Sequence, residues 1–190
     1  DRGNTLHGGL VGFASKIWMP EIKKNALIFT LESPDGDEGF PGKVEVKAKY
    51  ELIDDKLIFT WSGISDQDTL LSLTNHAYFN LAGPRSLSVL DQELKINSEQ
   101  IVDVDENGLA EETTSEVKDT PFDFRKYKKI GKDLNKENPQ LKNGQGYDHH
   151  FIISGTGLRE AARLKGNGLE LIVSTDLPGL QLYSANFLEG

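Results

Sequence analysis

The run Lys43-Val44-Glu45-Val46-Lys47-Ala48-Lys49-Tyr50-Glu51-Leu52 decides the fold class. Val44, Val46, Ala48, Tyr50 and Leu52 share one side of a period of two, and Lys43, Glu45, Lys47, Lys49 and Glu51 share the other. Successive strand side chains point to opposite faces, so the run reads as an antiparallel strand with one face on a core and one in water. Asp54-Asp55 then supplies a turn, and residues 57–61 return as the neighbouring strand. Working outward, β-rich runs recur at 27–31, 70–81, 92–97, 150–154 and 169–175. Between them stand turn signals such as Ser33-Pro34-Asp35-Gly36, Asn107-Gly108, Asn143-Gly144, Asn167-Gly168 and Pro178-Gly179. Helical periodicity is sparse, with one or two turns expected at 132–137, and the charged stretch 103–116 reads as a surface loop. Many short strands with close turns predict an all-β sandwich or barrel, with residues 1–190 as one domain.

Composition narrows the function. The 190 residues are 37% hydrophobic and 27% charged, a globular balance with no apolar run near the roughly 18 residues a membrane helix needs. Cysteine is absent, which removes disulfide scaffolds, thiolate metal sites and cysteine nucleophiles, and fits a reducing, cytoplasmic setting. Thirty Asp and Glu against 21 Lys and Arg give a formal charge of −9, a surface that repels a phosphate backbone, so no nucleic-acid partner is expected. No phosphate loop, dinucleotide fingerprint or Gly-x-Ser-x-Gly elbow occurs. Asp103-x-Asp105-x-Asn107-Gly108 imitates half of a calcium loop, but Thr114 stands where a bidentate Glu is needed, so an acidic turn is expected and no metal.

The chemistry concentrates in Leu70-Leu71-Ser72-Leu73-Thr74-Asn75-His76-Ala77-Tyr78-Phe79-Asn80-Leu81. Read as a strand, it places Leu71, Leu73, Ala77, Phe79 and Leu81 on one face. Ser72, Thr74, His76, Tyr78 and Asn80 line the other. A polar but uncharged face suits a groove of hydrogen-bonding groups, and His76 is the side chain whose proton moves near neutral pH. The pattern alone favours a solvent-facing or structurally bonded histidine. His7 precedes Gly8-Gly9, which either lets backbone approach a ligand or makes a turn. In Tyr147-Asp148-His149-His150, alternation sends Asp148 and His150 to one face and His149 to the other, so the two histidines do not grip one metal. Gln181 and Tyr183 again share a polar, uncharged face. His, Asp, Gln, Tyr and Asn without a phosphate cradle or metal cage resemble a site for a neutral carbohydrate, which needs directed hydrogen bonds and no cofactor.

The chain resembles the aldose 1-epimerase (galactose mutarotase) family. The resemblance rests on Asn4-Thr5-Leu6-His7-Gly8-Gly9, Trp18, Ser33-Pro34-Asp35-Gly36 with Glu38-Gly39-Phe40-Pro41-Gly42, and the run from Leu73 to Gly83. Pro121-Phe122-Asp123-Phe124-Arg125, Tyr147-Asp148-His149 and the run from Leu180 to Gly190 complete it, in the family's order. It implies a large antiparallel β-sandwich and interconversion of the α and β anomers of free aldohexoses such as galactose and glucose. It implies His76 as the acid that protonates the ring oxygen, with His7, Asp148 and Gln181 binding the sugar, and no cofactor.

Two landmarks of the resemblance fall differently. The family's glutamate base lies in a Cys-Leu-Glu-type segment after the Asn-Phe-Leu-x-Gly run, and Glu189 belongs to that run and does not match it. The family's sugar-binding arginine precedes the Leu-His-Gly-Gly run, and Arg2 stands too close to His7 to match. The expectation is therefore the central part of the sandwich, truncated at both ends, with weak or no activity as an isolated chain. Two other readings stay open. A hexose-6-phosphate epimerase needs basic residues that the neighbourhood of His76 lacks before Arg85, and a non-catalytic carbohydrate-binding module has no use for a proton donor at His76.

Overall fold

The alternating run quoted above becomes β3 (Val44–Ile53), paired with β4 (Lys56–Ser65) through a turn in which Asp54 takes a left-handed φ of 53°. The computed structural model describes residues 4–83, 85, 86 and 88–188. Contacts divide the chain into two compact units, Asp1–Ala77 and Tyr78–Gly190.

In the first unit, β1 (Met19–Ile22), β2 (Ala26–Ser33), β3 and β4 form an antiparallel sheet in that order. Val44, Val46 and Ala48 are buried and Lys47 is exposed, as the alternation requires, but Leu52, expected on the core face, is exposed at the strand end next to the turn. The register places Tyr50 opposite Phe59 and Ala48 opposite Trp61, with Phe29 also opposite Ala48, so the apolar face carries an aromatic row. Phe29 and Phe59 each meet Tyr50 edge-on, at 5.8 and 5.0 Å between centroids. Such pairs are worth about 0.5–1.5 kcal/mol beyond the area they bury. Gly63 sits in the same face, where a Cβ would lie 2.2 Å from Leu71 Cδ2, so its missing side chain makes room for Leu71.

The second unit has two four-stranded antiparallel sheets. One runs β11 (Leu169–Thr175), β10 (Arg159–Gly166), β5 (Glu93–Ile96), β8 (Lys128–Lys129), and the other β12 (Gly179–Tyr183), β9 (Asp148–Ile153), β6 (Ser98–Val104), β7 (Ala110–Glu116). Their inner faces share one core. Leu94, Ile96, Ala161 and Ala162 come from the first sheet, Ile101, Phe151 and Ile153 from the second, with Phe122, Phe124 and Tyr147 between them. This is the antiparallel β-sandwich expected from the strand pattern.

Three sequence expectations need correction. Residues 70–81 join no ladder among the described residues. Side chains take over their backbone groups instead. Asn75 Oδ1 accepts the Ala77 N–H, Asn80 Oδ1 accepts the Ala82 N–H, and Gln92 Oε1 accepts the Leu81 N–H, at 3.0, 3.1 and 3.1 Å. Asn side chains that bond backbone two residues on compete with strand pairing, and here they prevail. The charged stretch 103–116 is not a loop but the end of β6, a turn and β7. Because β7 is an edge strand exposed along nearly its whole length, it carries no apolar alternation to read. Of the helical turns expected at 132–137, a 3-10 turn at Ile130–Asp133 covers only the first two residues, and α1 follows at Pro139–Asn143. Asn138 starts α1 by accepting the N–H groups of Gln140 and Leu141, and Pro139 occupies the first turn where no N–H is needed. Among the described residues no helix is long and apolar enough to cross a membrane.

Candidate functional site

His7 lies in a turn that only left-handed backbone can make. Its φ is 53°, followed by 89° at Gly8 and 118° at Gly9. Of the two glycine readings left open by the sequence, the turn is the one seen, and Glu38 closes it. The Glu38 carboxylate accepts the N–H of Leu10 through Oε2 at 2.7 Å and of Val11 through Oε1 at 3.1 Å. A Cβ on Gly9 would stand 2.1 Å from Glu38 Oε2, so only glycine lets the turn close over this carboxylate. Sequence reasoning quoted Glu38 within a run of the resemblance but assigned it no role; its signal, an acid 29 residues beyond Gly9, has no local pattern.

That turn brings His7 to His76. The two rings meet edge-on at 85°, with centroids 5.0 Å apart, and both residues are exposed. His76 is held without a strand ladder. The neighbouring Asn75 donates through Nδ2 to the Tyr50 hydroxyl at 3.2 Å and accepts the Ala77 N–H, so one amide secures the backbone on both sides of the imidazole. The polar face read at 70–81 thus yields an exposed histidine for a reason other than strand alternation.

In the second unit, Asp148 opens β9 and Gln181 lies on β12. The register pairs Tyr183 with Asp148 and Gln181 with His150, which leaves Asp148 and Gln181 diagonal on one face. Gln181 Nε2 donates to Asp148 Oδ1 at 2.8 Å. Tyr183 continues this face, with Tyr78 tilted against it at 5.4 Å and Phe187 stacked at 6.4 Å between centroids. The Phe187 N–H donates to the Tyr183 hydroxyl at 2.7 Å, which fixes the ring. Burial, with Tyr183 and Asp148 adding to it, pushes the Tyr78 phenol above its ordinary range. An amide–carboxylate pair beside exposed aromatic rings offers directed hydrogen bonds and a flat apolar surface together. Tyr78 and Tyr183 were legible as polar-face residues; Phe187 was not, because it lies beyond the strand in a turn.

The expected split at 148–150 holds. Asp148 and exposed His150 face one way, and His149 is fully buried on the other. Burial drives the His149 imidazole down to about 4, so it is neutral at physiological pH. The acidic turn also holds as read. Asp105 Oδ1 accepts the N–H groups of Asn107 and Leu109 at 2.8 and 2.9 Å, and these bonds lower its carboxyl. Arg2 and Glu189 lie outside the described residues.

A family model for aldose 1-epimerase matches residues 1–190. Galactose mutarotase of Bos taurus is 38% identical over 190 residues, covering 98% of this chain and 54% of that protein. Aldose 1-epimerase of Escherichia coli K12 is 38% identical over 193 residues, covering 98% of this chain and 55% of that protein. The crystal structure of galactose 1-epimerase from Lactobacillus acidophilus NCFM superposes with a TM-score of 0.86 at 37% identity, over 96% of this chain and 54% of that one. The chain therefore spans about half the length of the curated relatives it matches.

Proposed function

Since the chain belongs to the aldose 1-epimerase family, we propose that the protein interconverts the α and β anomers of a free aldohexose such as galactose, in the cytoplasm, with His76 as its general acid. Opening a pyranose requires a proton on the ring oxygen as the C1–O5 bond breaks, while the family's glutamate base, which no residue among 1–190 matches, takes the proton of the O1 hydroxyl. The open aldehyde turns about C1–C2, and reclosure on either face returns both protons. This is acid–base chemistry alone, and an imidazole, which both gives and takes a proton, is suited to the donor's part.

His7, Asp148 and Gln181 bind the sugar in this reading. Asp148 accepts from hydroxyls, Gln181 offers its amide and holds the carboxylate in place, and Tyr183 with Phe187 covers an apolar face of the ring. The observation that carries the proposal is the edge-on pairing of exposed His7 and His76. An imidazole intended only for packing would be buried, as His149 is.

Polarimetry of freshly dissolved α-galactose tests it. The His76→Gln variant is expected to lose about 10²–10⁴-fold in the rate of anomer exchange, the usual contribution of a general acid. Exchange by His76→Gln at the unaltered rate rejects His76 as the donor, and no acceleration by a polypeptide that also carries the family's glutamate base rejects the activity.

A further inference from the structure

His149 sits in a seat built for an imidazole. Its ring meets Phe122 edge-on at 4.6 Å, and a Cβ on Gly144 would come within 2.8 Å of its Cε1. Nδ1 accepts the backbone N–H of Asp148 at 3.1 Å, which leaves the proton on Nε2, and Nε2 donates to Gln140 Oε1 at 3.2 Å. Gln140 is itself anchored twice to Val104. Its Oε1 accepts the Val104 N–H at 2.8 Å and its Nε2 donates to the Val104 carbonyl at 3.2 Å. Asn143 adds a second donor to that carbonyl at 2.7 Å. The short helix α1 thus ties β6 to the imidazole, and the imidazole to the first N–H of β9.

A hydrocarbon side chain would fill this seat without burying two ring nitrogens, which costs free energy unless both are bonded. What it lacks is an acceptor for the Asp148 N–H. On the opposite face of the strand, the Asp148 carboxylate is held by Gln181. Asp148 is therefore gripped at both ends, by His149 on the core side and by Gln181 on the open side.

We propose that His149, braced by Gln140, is a positioning residue that sets where Asp148 presents its carboxylate to the sugar. The inference rests on the sugar-binding reading of Asp148. The neutral imidazole fixes the backbone at residue 148, and small displacements of a binding group carry large losses.

Two variants separate positioning from core filling. His149→Asn keeps an acceptor where Nδ1 stood but leaves a void, whereas His149→Leu fills the volume and removes the acceptor. Galactose affinity by calorimetry is expected within about threefold of the unaltered protein for His149→Asn, and about tenfold weaker for His149→Leu, the worth of one lost hydrogen bond. In an Asp148→Asn background the difference between the two is expected to vanish, because residues acting through one another are not additive. If His149→Leu does not fold, Gln140→Met reads the same effect by withdrawing the brace and leaving the imidazole. Equal affinity of the Asn and Leu variants, or losses that simply add to that of Asp148→Asn, overturns the positioning role. Failure of the unaltered protein to bind galactose overturns the sugar reading, and the positioning role falls with it.

Discussion

The imidazole of His7 stands edge-on to that of His76, 5.0 Å between centroids, although 68 residues of chain separate them. Edge-on contact leaves one ring's face and the other's rim available, so the two need not share one task. His7→Ala is expected to weaken galactose binding while leaving the exchange rate at saturation within a few-fold. His76→Gln is expected to lower that rate and leave binding nearly intact. Saturation kinetics by NMR exchange spectroscopy checks the split, since uniform binding appears in KM and transition-state contacts in kcat.

Gln181 donates to Asp148 across the β9–β12 ladder. Replacing it with Leu removes this donor and one offered to the sugar. Galactose affinity is expected to fall by about tenfold, the effect of one or two hydrogen bonds to a charged group. Thermal stability is expected to stay unchanged, because the pair lies on an open face. A melting point that drops with affinity contradicts this assignment.

The glycine turn beneath His7 gives a stability test with its own control. Gly36 and Gly9 both have positive φ, at 78° and 118°, but only Gly9 faces a blocking atom. Gly36→Ala meets nothing within 4 Å and should cost about 1–2 kcal/mol for the left-handed backbone alone. Gly9→Ala must also expel the Glu38 carboxylate and free the N–H groups of Leu10 and Val11. It is expected to cost at least twice as much by urea denaturation. Equal losses at the two positions refute the seat assigned to Glu38.

His149 predicts a pH dependence whose direction follows from its burial. Its native value of about 4 lies below the ordinary 6.5, so between these limits the unfolded chain binds more protons. The contribution is complete above pH 6.5 and is lost as pH falls to about 4. It amounts to about 3 kcal/mol on the 1.4 kcal/mol that each unit represents. The His150 imidazole, lowered by partial desolvation although the residue is exposed, acts in the same direction. Urea midpoints measured from pH 7 to 4 are expected to fall steeply for the unaltered protein and less steeply for His149→Leu.

Lys128 and Lys129 are adjacent and should behave oppositely. Lys128 is largely but not fully buried, its Nζ 2.8 Å from Asp133, 2.6 Å from the Pro121 carbonyl and 4.1 Å from the centre of the Phe124 ring. Burial pulls its ammonium below the ordinary range, with Asp133 opposing that shift. Lys128→Met takes one partner from the buried Asp133 carboxylate, which keeps Lys136, and one from the Pro121 carbonyl, which keeps the Tyr147 hydroxyl, and is expected to cost about 1–3 kcal/mol. Lys129 pairs with Asp91 in solvent, and Lys129→Met is expected to leave the unfolding midpoint unmoved.

Much of this molecule is local and therefore legible in one dimension. The alternation from Lys43 to Leu52 predicts β3 because a half-buried strand imprints its period on any sequence that keeps one face dry. The same period separates Asp148 from His149 and aligns Gln181 with Tyr183. Quoted runs such as Leu6-His7-Gly8-Gly9 and Asn75-His76-Ala77-Tyr78 carried the family resemblance because they are contiguous.

What tertiary structure decided depends on partners far apart in the chain. Residues 70–81 have strand periodicity, yet Asn75, Asn80 and Gln92 capture their backbone groups, and no period records where a side-chain amide will reach. Glu38 beneath Gly9, Gln140 behind His149 and Phe187 on Tyr183 leave no spacing to read. Each is chosen by how strands stack and turns fold back, which brings together groups that the linear order keeps apart.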